Sequence, residues 1–214
     1  MKLETHFEGK WKNHPTAGIV LAAGMSVRMG RTKQLMELGG KLLLARVVEA
    51  ALASELEKVV LVLGHEAAKV REALGSLGSR ERLQTVVNER YREGMSASLQ
   101  AGLREVKDQF PAVMFLLGDQ PLVAPGAINL LLHRFRESEL DICVPVCRKR
   151  QGNPVCFSRL FYDRLLAIRG DTGARQVIRR HPDHVLYVQL DDPLCFLDID
   201  DAEDAEKSLP FLKR

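Results

Sequence analysis

The chain has 214 residues and no apolar run approaching the roughly 18 residues of a membrane-spanning helix. Its start, with Glu4, His6, Glu8 and His14, lacks the apolar core of a signal peptide. There are only four cysteines, Cys143, Cys147, Cys156 and Cys195. None forms a C-x-x-C pair, and no histidine stands at zinc-ligand spacing from them. They read as buried free thiols in a reducing cytoplasm, with the reactivity of Cys156 left open. A formal net charge of +3 is too small to argue for a nucleic-acid partner. Internal repeats, low-complexity tracts and linkers are missing too. Two familiar phosphate loops are absent: Gly40-Lys41 is followed by Leu42, which breaks a Walker ending, and no G-x-G-x-x-G occurs. One domain over 17–214, behind a polar N-terminal extension of 1–16, is what remains.

Strand and helix patterns alternate. Ala17–Ala22, Val59–Leu63, Leu83–Val87 and Ala112–Leu117 are short apolar runs of buried-strand type. Between them lie helical stripes: Leu44, Val47, Val48 and Ala51; a short helix over Ala67–Leu74; and Leu99, Gly102, Leu103 and Val106. Pro125 opens a helix carrying Ile128, Leu131, Leu132 and Phe135. Asp141–Val146 and Asn153–Phe157 then read as a hairpin around a polar turn. Phe161, Leu165 and Ile168 mark a further helix, and Thr172–Arg180 a short one. Val185–Gln189 is a strand, and Ala202–Leu209 a closing helix capped by Asp201. The fold class is α/β: a three-layer α/β/α, Rossmann-like domain on a mostly parallel sheet with one antiparallel hairpin. Ligands of such sheets bind at the carboxyl ends of the strands, so the loops after Ala22, Leu63, Val87 and Leu117 should meet on one edge.

The first of those loops is the most chemical. Gly24 and Gly30 allow close backbone approach, Ser26 adds a hydroxyl, and Arg28, Arg31 and Lys33 bring three cations. Such a loop suits a polyphosphate. Asp119, in Gly118-Asp119-Gln120-Pro121, follows a buried strand onto the same edge and can serve Mg²⁺, which takes one or two carboxylates plus phosphate oxygens. Asp198 and Asp200 point to one side of an extended segment, with Asp200 the better metal ligand and Asp198 the second; an acidic helix start explains them equally. Gly94, Ser96 and Ser98 open a helix whose free amides favour anions, or the serines simply cap it. Asn88 can hydrogen-bond a base or ribose. Arg175 can clamp a phosphate or carboxylate, and Asp171 can assist or cap a helix.

The run L-A-A-G-x-S-x-R-M-G-x-x-K, beginning at Leu21, resembles the signature of the nucleotidyltransferases related to the molybdopterin guanylyl- and cytidylyltransferases, and later motifs recur in the same order. The resemblance implies a Mg²⁺-dependent, GT-A-like nucleotidyltransferase. Leu21, Ala22, Ala23, Gly24, Ser26, Arg28, Lys33, Asn88, Gly94, Ser96 and Ser98 would meet the nucleotide. Arg28, Lys33 and Asp119 would carry the reaction, and Asp119, Asp200 and Asp198 the metal. Gly152, Asn153, Pro154, Asp171 and Arg175 would face the acceptor. Asp201-Ala202 departs from the Thr-Pro usual there. Leu21-Ala22-Ala23-Gly24, where guanylyl enzymes tend to carry L-A-G-G, implies CTP and a molybdopterin acceptor, with the Ala23 methyl crowding a purine. It further implies transient contact with a molybdenum hydroxylase or its chaperone, no nucleic acid and no membrane. Two other readings fit the first loop: a GTP-using or sugar- or alcohol-phosphate nucleotidyltransferase, and a nucleotide-sensing module without turnover.

Overall fold

The computed structural model describes residues 14–25 and 32–213. Eight strands form one sheet: β1 (Thr16–Ala22), β2 (Lys58–Leu63), β3 (Leu83–Val87), β4 (Ala112–Leu117), β5 (Ile142–Cys147), β6 (Arg150–Gln151), β7 (Val155–Ser158) and β8 (Val185–Gln189). The order is β3-β2-β1-β4-β7-β5, with β8 beyond β5 and β6 extending the return strand. β3, β2, β1 and β4 pair in parallel, as do β5 and β8. β7 runs antiparallel to both its neighbours.

Period-two alternation builds the layers. Val20, Leu61, Leu63, Met114 and Leu116 face one side, where α1 (Leu43–Leu52), α2 (Ala67–Leu74) and α4 (Pro125–Glu137) bury Val47, Val70 and Leu131. Ile19, Val60, Val62, Val113 and Phe115 face the other, against α3 (Met95–Arg104), α5 (Tyr162–Ala167) and α6 (Arg175–Arg180) through Leu103, Leu165 and Val177. The last helix, α7 (Ala202–Ser208), opens on Asp201, whose carboxylate accepts from the Asp204 amide at 2.9 Å. No helix among the described residues is long and apolar enough to cross a membrane.

The return arm of the expected hairpin lies between β4 and β5 and is broken. Cys143 to Val146 is three steps along β5, but Cys156 back to Gln151 is five, so Gly152–Pro154 kinks out between β7 and β6. The wholly buried Val155-Cys156-Phe157 suits a strand with neighbours on both sides. α5 begins at Tyr162 and leaves Ile168 buried just past its end, and α6 is shorter than the Thr172–Arg180 pattern. β1 starts at Thr16, so that residue of the expected N-terminal extension belongs to the sheet.

α3 sits unusually close on the sheet. A Cβ at Gly102 would overlap Ile19 Cγ2 and stand 2.9 Å from Val62 Cγ2. Helix propensity alone favours alanine by up to about 1 kcal/mol, but forcing a methyl against two β-branched side chains costs about 1–3 kcal/mol. Gly102→Ala should therefore lower unfolding stability in urea by about 1 kcal/mol or more. A variant as stable as the parent would show that this contact is loose.

Candidate active site

The ends of β1, β3 and β4 define a cleft of about 700 Å³ on the carboxyl edge of the sheet, lined from Leu21 to Met25 at the end of β1 and by Gly118 and Asp119 after β4; the loop after β2, expected to join them, does not line it. Tyr91, Arg92, Gly94, Met95 and Ser98, from the segment after β3, form the facing wall. Lys33, Gln34, Asp171 and Asp200 complete it.

Chain entry into this cleft is fixed by three consecutive buried side chains. Thr32 donates its hydroxyl to Glu66, at the start of α2. The Lys33 ammonium lies 3.1 Å from Asp119 Oδ2 and 2.9 Å from Asp200 Oδ1. Gln34 Nε2 donates to the carbonyls of Ala22 and Gly24, at 3.1 and 3.2 Å. Asp200 is brought to the sheet by apolar packing: Ile199 and Ala205 cluster with Met36, Leu38 and Leu43. The Ile199 amide also donates to the Asp119 carbonyl at 3.0 Å.

The acidic group is crowded. Asp198 is exposed to solvent and accepts from Gln120 Nε2 at 2.9 Å. The surrounding protein, then the Asp119 charge, raise its pKa above the usual carboxylate value. Asp119 Oδ2 meets Lys33, whereas its Oδ1 is buried with no hydrogen-bond partner. An oxygen in that condition suits a hard cation. Among the described residues no three His, Cys, Asp or Glu gather to hold a metal by themselves, so phosphate oxygens would have to complete its shell.

At the other end, Gly94 takes φ +100°, and a Cβ there would stand 2.6 Å from the Gly170 and Asp171 backbone. Glycine is required on both counts. The Asp171 carboxylate accepts from Met95 N at 3.2 Å, and the Gly170 carbonyl from Ser96 N at 3.2 Å. The first amides of α3, expected to serve an anion, are therefore partly engaged by the 170–171 loop. Asp171 caps α3 and still lines the cleft.

Other expected site residues are distributed as follows. Leu21, Ala22, Ala23, Gly24, Lys33, Gly94, Ser98, Asp119, Asp171 and Asp200 line the cleft. Ser26 and Arg28 lie outside the described residues. Ser96 and Asn88 are buried, and the Asn88 side chain donates to Ser98 Oγ and accepts from Arg90 N, each at 3.0 Å. Asn88 thus shapes the wall from behind. Gly152 packs on Phe196, and neither Gly152–Pro154 nor the exposed Arg175 lines the cleft. Ala23 is 4% exposed and its methyl is turned to Gly64, so direct crowding of a purine by that methyl is not what the geometry provides. Tyr91, Arg92 and Met95 were not singled out in the sequence, although they sit inside the segment from Asn88 to Ser98. Gln34 was missed as well; its only signal is adjacency to Lys33. Burial, then the neighbouring Cys143, hold the Cys156 thiol well above its usual range, which makes it unreactive.

The raised Asp198 carboxyl carries a stability sign. The native state holds that proton more tightly than the unfolded chain, so ionisation destabilises the fold as pH rises from the ordinary carboxylate pKa to the raised one. Above both values the loss is complete. Asp198→Asn keeps an acceptor for Gln120 and removes the charge. With chelator present, it should melt higher than the parent at pH 7, and the gain should vanish below the ordinary carboxylate range. A gain independent of pH would contradict this origin.

Comparison with known proteins places this cleft. Residues 18–185 match the model of the MobA-like NTP transferase domain. A probable molybdenum cofactor guanylyltransferase of Thermococcus sibiricus is 31% identical over 129 residues, 60% of each chain. The Bifunctional protein GlmU of Methylococcus capsulatus is 31% identical over 147 residues, 68% of this chain but 30% of that one. The chain therefore spans about a third to three fifths of these curated relatives. Among solved structures, Rv0371c of Mycobacterium tuberculosis superposes with TM-score 0.80 at 29% identity, covering 92% of this chain and 98% of that one. A second structure of that protein is described as a complex with manganese. With its match running from β1 to the start of β8 and taking in every cleft-lining residue except Asp200, this chain belongs to the family of the MobA-like NTP transferase domain.

Proposed function

We propose that the chain transfers CMP from CTP to the terminal phosphate of Mo-molybdopterin, giving molybdopterin cytosine dinucleotide and pyrophosphate. The observation that carries nucleotidyl transfer is the Lys33 ammonium seated between Asp119 and Asp200 at the foot of the cleft. A nucleotide sensor without turnover has no need of a carboxylate pair with a spare buried oxygen there.

In the reaction, an acceptor phosphate oxygen forms a bond to the α-phosphorus while the bond to pyrophosphate breaks. No protein nucleophile is required. Lys33, with Arg28, holds the β,γ-phosphates and offsets the charge that collects on the leaving group. Backbone groups of Leu21–Gly24, with Gly94 and Ser98, hold the nucleoside. Asp171 and Arg92, which line the cleft, would face the acceptor. Asp119, joined by Asp200 and then Asp198, would hold Mg²⁺. Bound there, the cation supplies positive charge against the phosphate oxygens. Alignment of attacking and leaving oxygens is the remaining contribution.

The choice of CTP rests on the L-A-A-G resemblance. Ala23 would act at one remove: its methyl and the Tyr91 Cβ both crowd the face of Gly64, so Ala23 helps set where the Tyr91 wall stands. GTP is the second reading, favoured by the guanylyl name of the Thermococcus relative and by the inward-facing methyl. The product would pass to a molybdenum hydroxylase or its chaperone. Four free, buried thiols suit a reducing cytoplasm.

Pyrophosphate release should be measured with each of four NTPs, Mg²⁺ and Mo-molybdopterin, alongside sugar phosphates as competing acceptors. CTP with Mo-molybdopterin should give the highest rate. A preference for GTP would overturn the base assignment, and a preference for a sugar phosphate the acceptor. Asp119→Ala should lower turnover by about 10²–10³-fold or more; an effect on nucleotide affinity alone would indicate a sensor.

A further inference from the structure

The turn leaving β1 directs four successive carbonyls into the protein. Leu21 O accepts from Gly118 N at 2.9 Å, and Ala23 O from His65 N at 3.4 Å. Those two donors are backbone amides following β4 and β2, supplied by the fold itself. The other two carbonyls, of Ala22 and Gly24, both accept from the single side-chain amide of Gln34. Gln34 is 8% exposed and stands in the short 3₁₀ turn Lys33–Leu35. A carboxamide nitrogen carries two hydrogens, one for each carbonyl. Glutamate in the same shape would present only oxygens, and lysine would add a second buried charge beside Lys33.

Leu21 and Ala22 belong to the β1 ladder, but a trans peptide holds each N–H opposite the preceding carbonyl. Carbonyls of Ala22 and Gly24 turned to Gln34 therefore direct the N–H groups of Ala23 and Met25, two cleft-lining residues, the other way, and N–H groups suit an acceptor-rich ligand. We propose that Gln34 is a positioning residue of the nucleotide site: it holds the Ala22 and Gly24 carbonyls away from the cleft and thereby aims the amides that follow them at the bound nucleotide. Its neighbour Lys33 reaches the acidic pair, so one short turn sets both the nucleoside end and the phosphate end. The inference rests on the nucleotide-binding reading of the cleft but not on which base or acceptor is used.

Gln34→Glu and Gln34→Met test it. The first keeps the shape and reverses the hydrogen-bonding sense; the second keeps the length and removes hydrogen bonding. Binding of each of the four NTPs with Mg²⁺ is titrated on parent and variants, and KM and kcat are measured with the NTP that the parent binds best. Both variants should bind that nucleotide about tenfold or more weakly, the loss of two buried hydrogen bonds acting on ligand geometry. KM should rise to match, and kcat at saturation should change less than about threefold, because ground state and transition state lose the same contacts. A merely structural role would lower the melting temperature and leave the affinity of the folded fraction unmoved. Affinity within twofold of the parent in a folded variant, or a loss confined to kcat, overturns the proposal; if the glutamate variant does not fold, the methionine variant decides. A parent that binds none of the NTPs overturns the nucleotide reading, and this proposal with it. A parent that binds while the variants bind equally well overturns this proposal alone.

Discussion

A lysine ammonium in a site that is only 11% exposed at the side chain needs anionic company, and Lys33 draws it from two distant points of the chain. Desolvating such a charge costs several kcal/mol unless partners offset it. Asp119 arrives at the end of β4, and Asp200 on the segment before α7. Neither carboxylate belongs near the other without a cation between them. The three groups therefore hold the C-terminal segment against the sheet edge, together with the apolar contacts of Ile199 and Ala205. The same arrangement leaves the buried Asp119 Oδ1 unpartnered. The strongest electrostatic tie in the cleft is thus also the place where a phosphate-bound cation has most to gain.

The rest of the cleft is assembled by loops that cap one another. The 170–171 loop accepts hydrogen bonds from the first amides of α3, and Gly94 lets the two backbones approach. Asn88 ties the end of β3 to Ser98 on α3. Thr32 ties the segment after β1 to Glu66 beyond β2. The segment after β1 is thus tied to the one after β2, and the start of α3 to the 170–171 loop. A site built on strand ends in this way is positioned by the sheet and needs little machinery of its own.

Much of this was legible in the residues. Alternating apolar positions such as Val20, Ala22 against Ile19, Ala23 already assign the two faces, because strand periodicity is local. The meeting of Lys33 with Asp119 followed from two loops leaving parallel neighbouring strands at the same end. The position of β7 between β4 and β5 did not follow, since local pattern says that a strand is fully buried but not which strands flank it. Nor did the heading of the Ala23 methyl, which depends on Gly64 across the sheet. Nor was the packing of Gly152 against Phe196, from a segment more than forty residues away, written in its local pattern. Gln34 was invisible for a related reason: an amide that serves the backbone leaves no charge or spacing signal.

These two kinds of contact divide the cleft into ends with different freedom. At the Lys33 end the contacts are ionic and side chain to side chain, so their identity is written in Lys33, Asp119 and Asp200. Under the proposed nucleotide reading, the Leu21–Gly24 end would contribute backbone groups, which are the same in every residue and cannot by themselves tell a purine from a pyrimidine. Base choice would then come from the facing wall, where Tyr91, Arg92 and Met95 stand, and from whatever sets its distance. A Cβ at Gly64 would meet both the Ala23 Cβ and the Tyr91 Cβ, so under the same reading a methyl that is almost wholly buried would still bear on how wide that end is. A short signature at residue 23 could in this way correlate with base identity without its methyl touching the base.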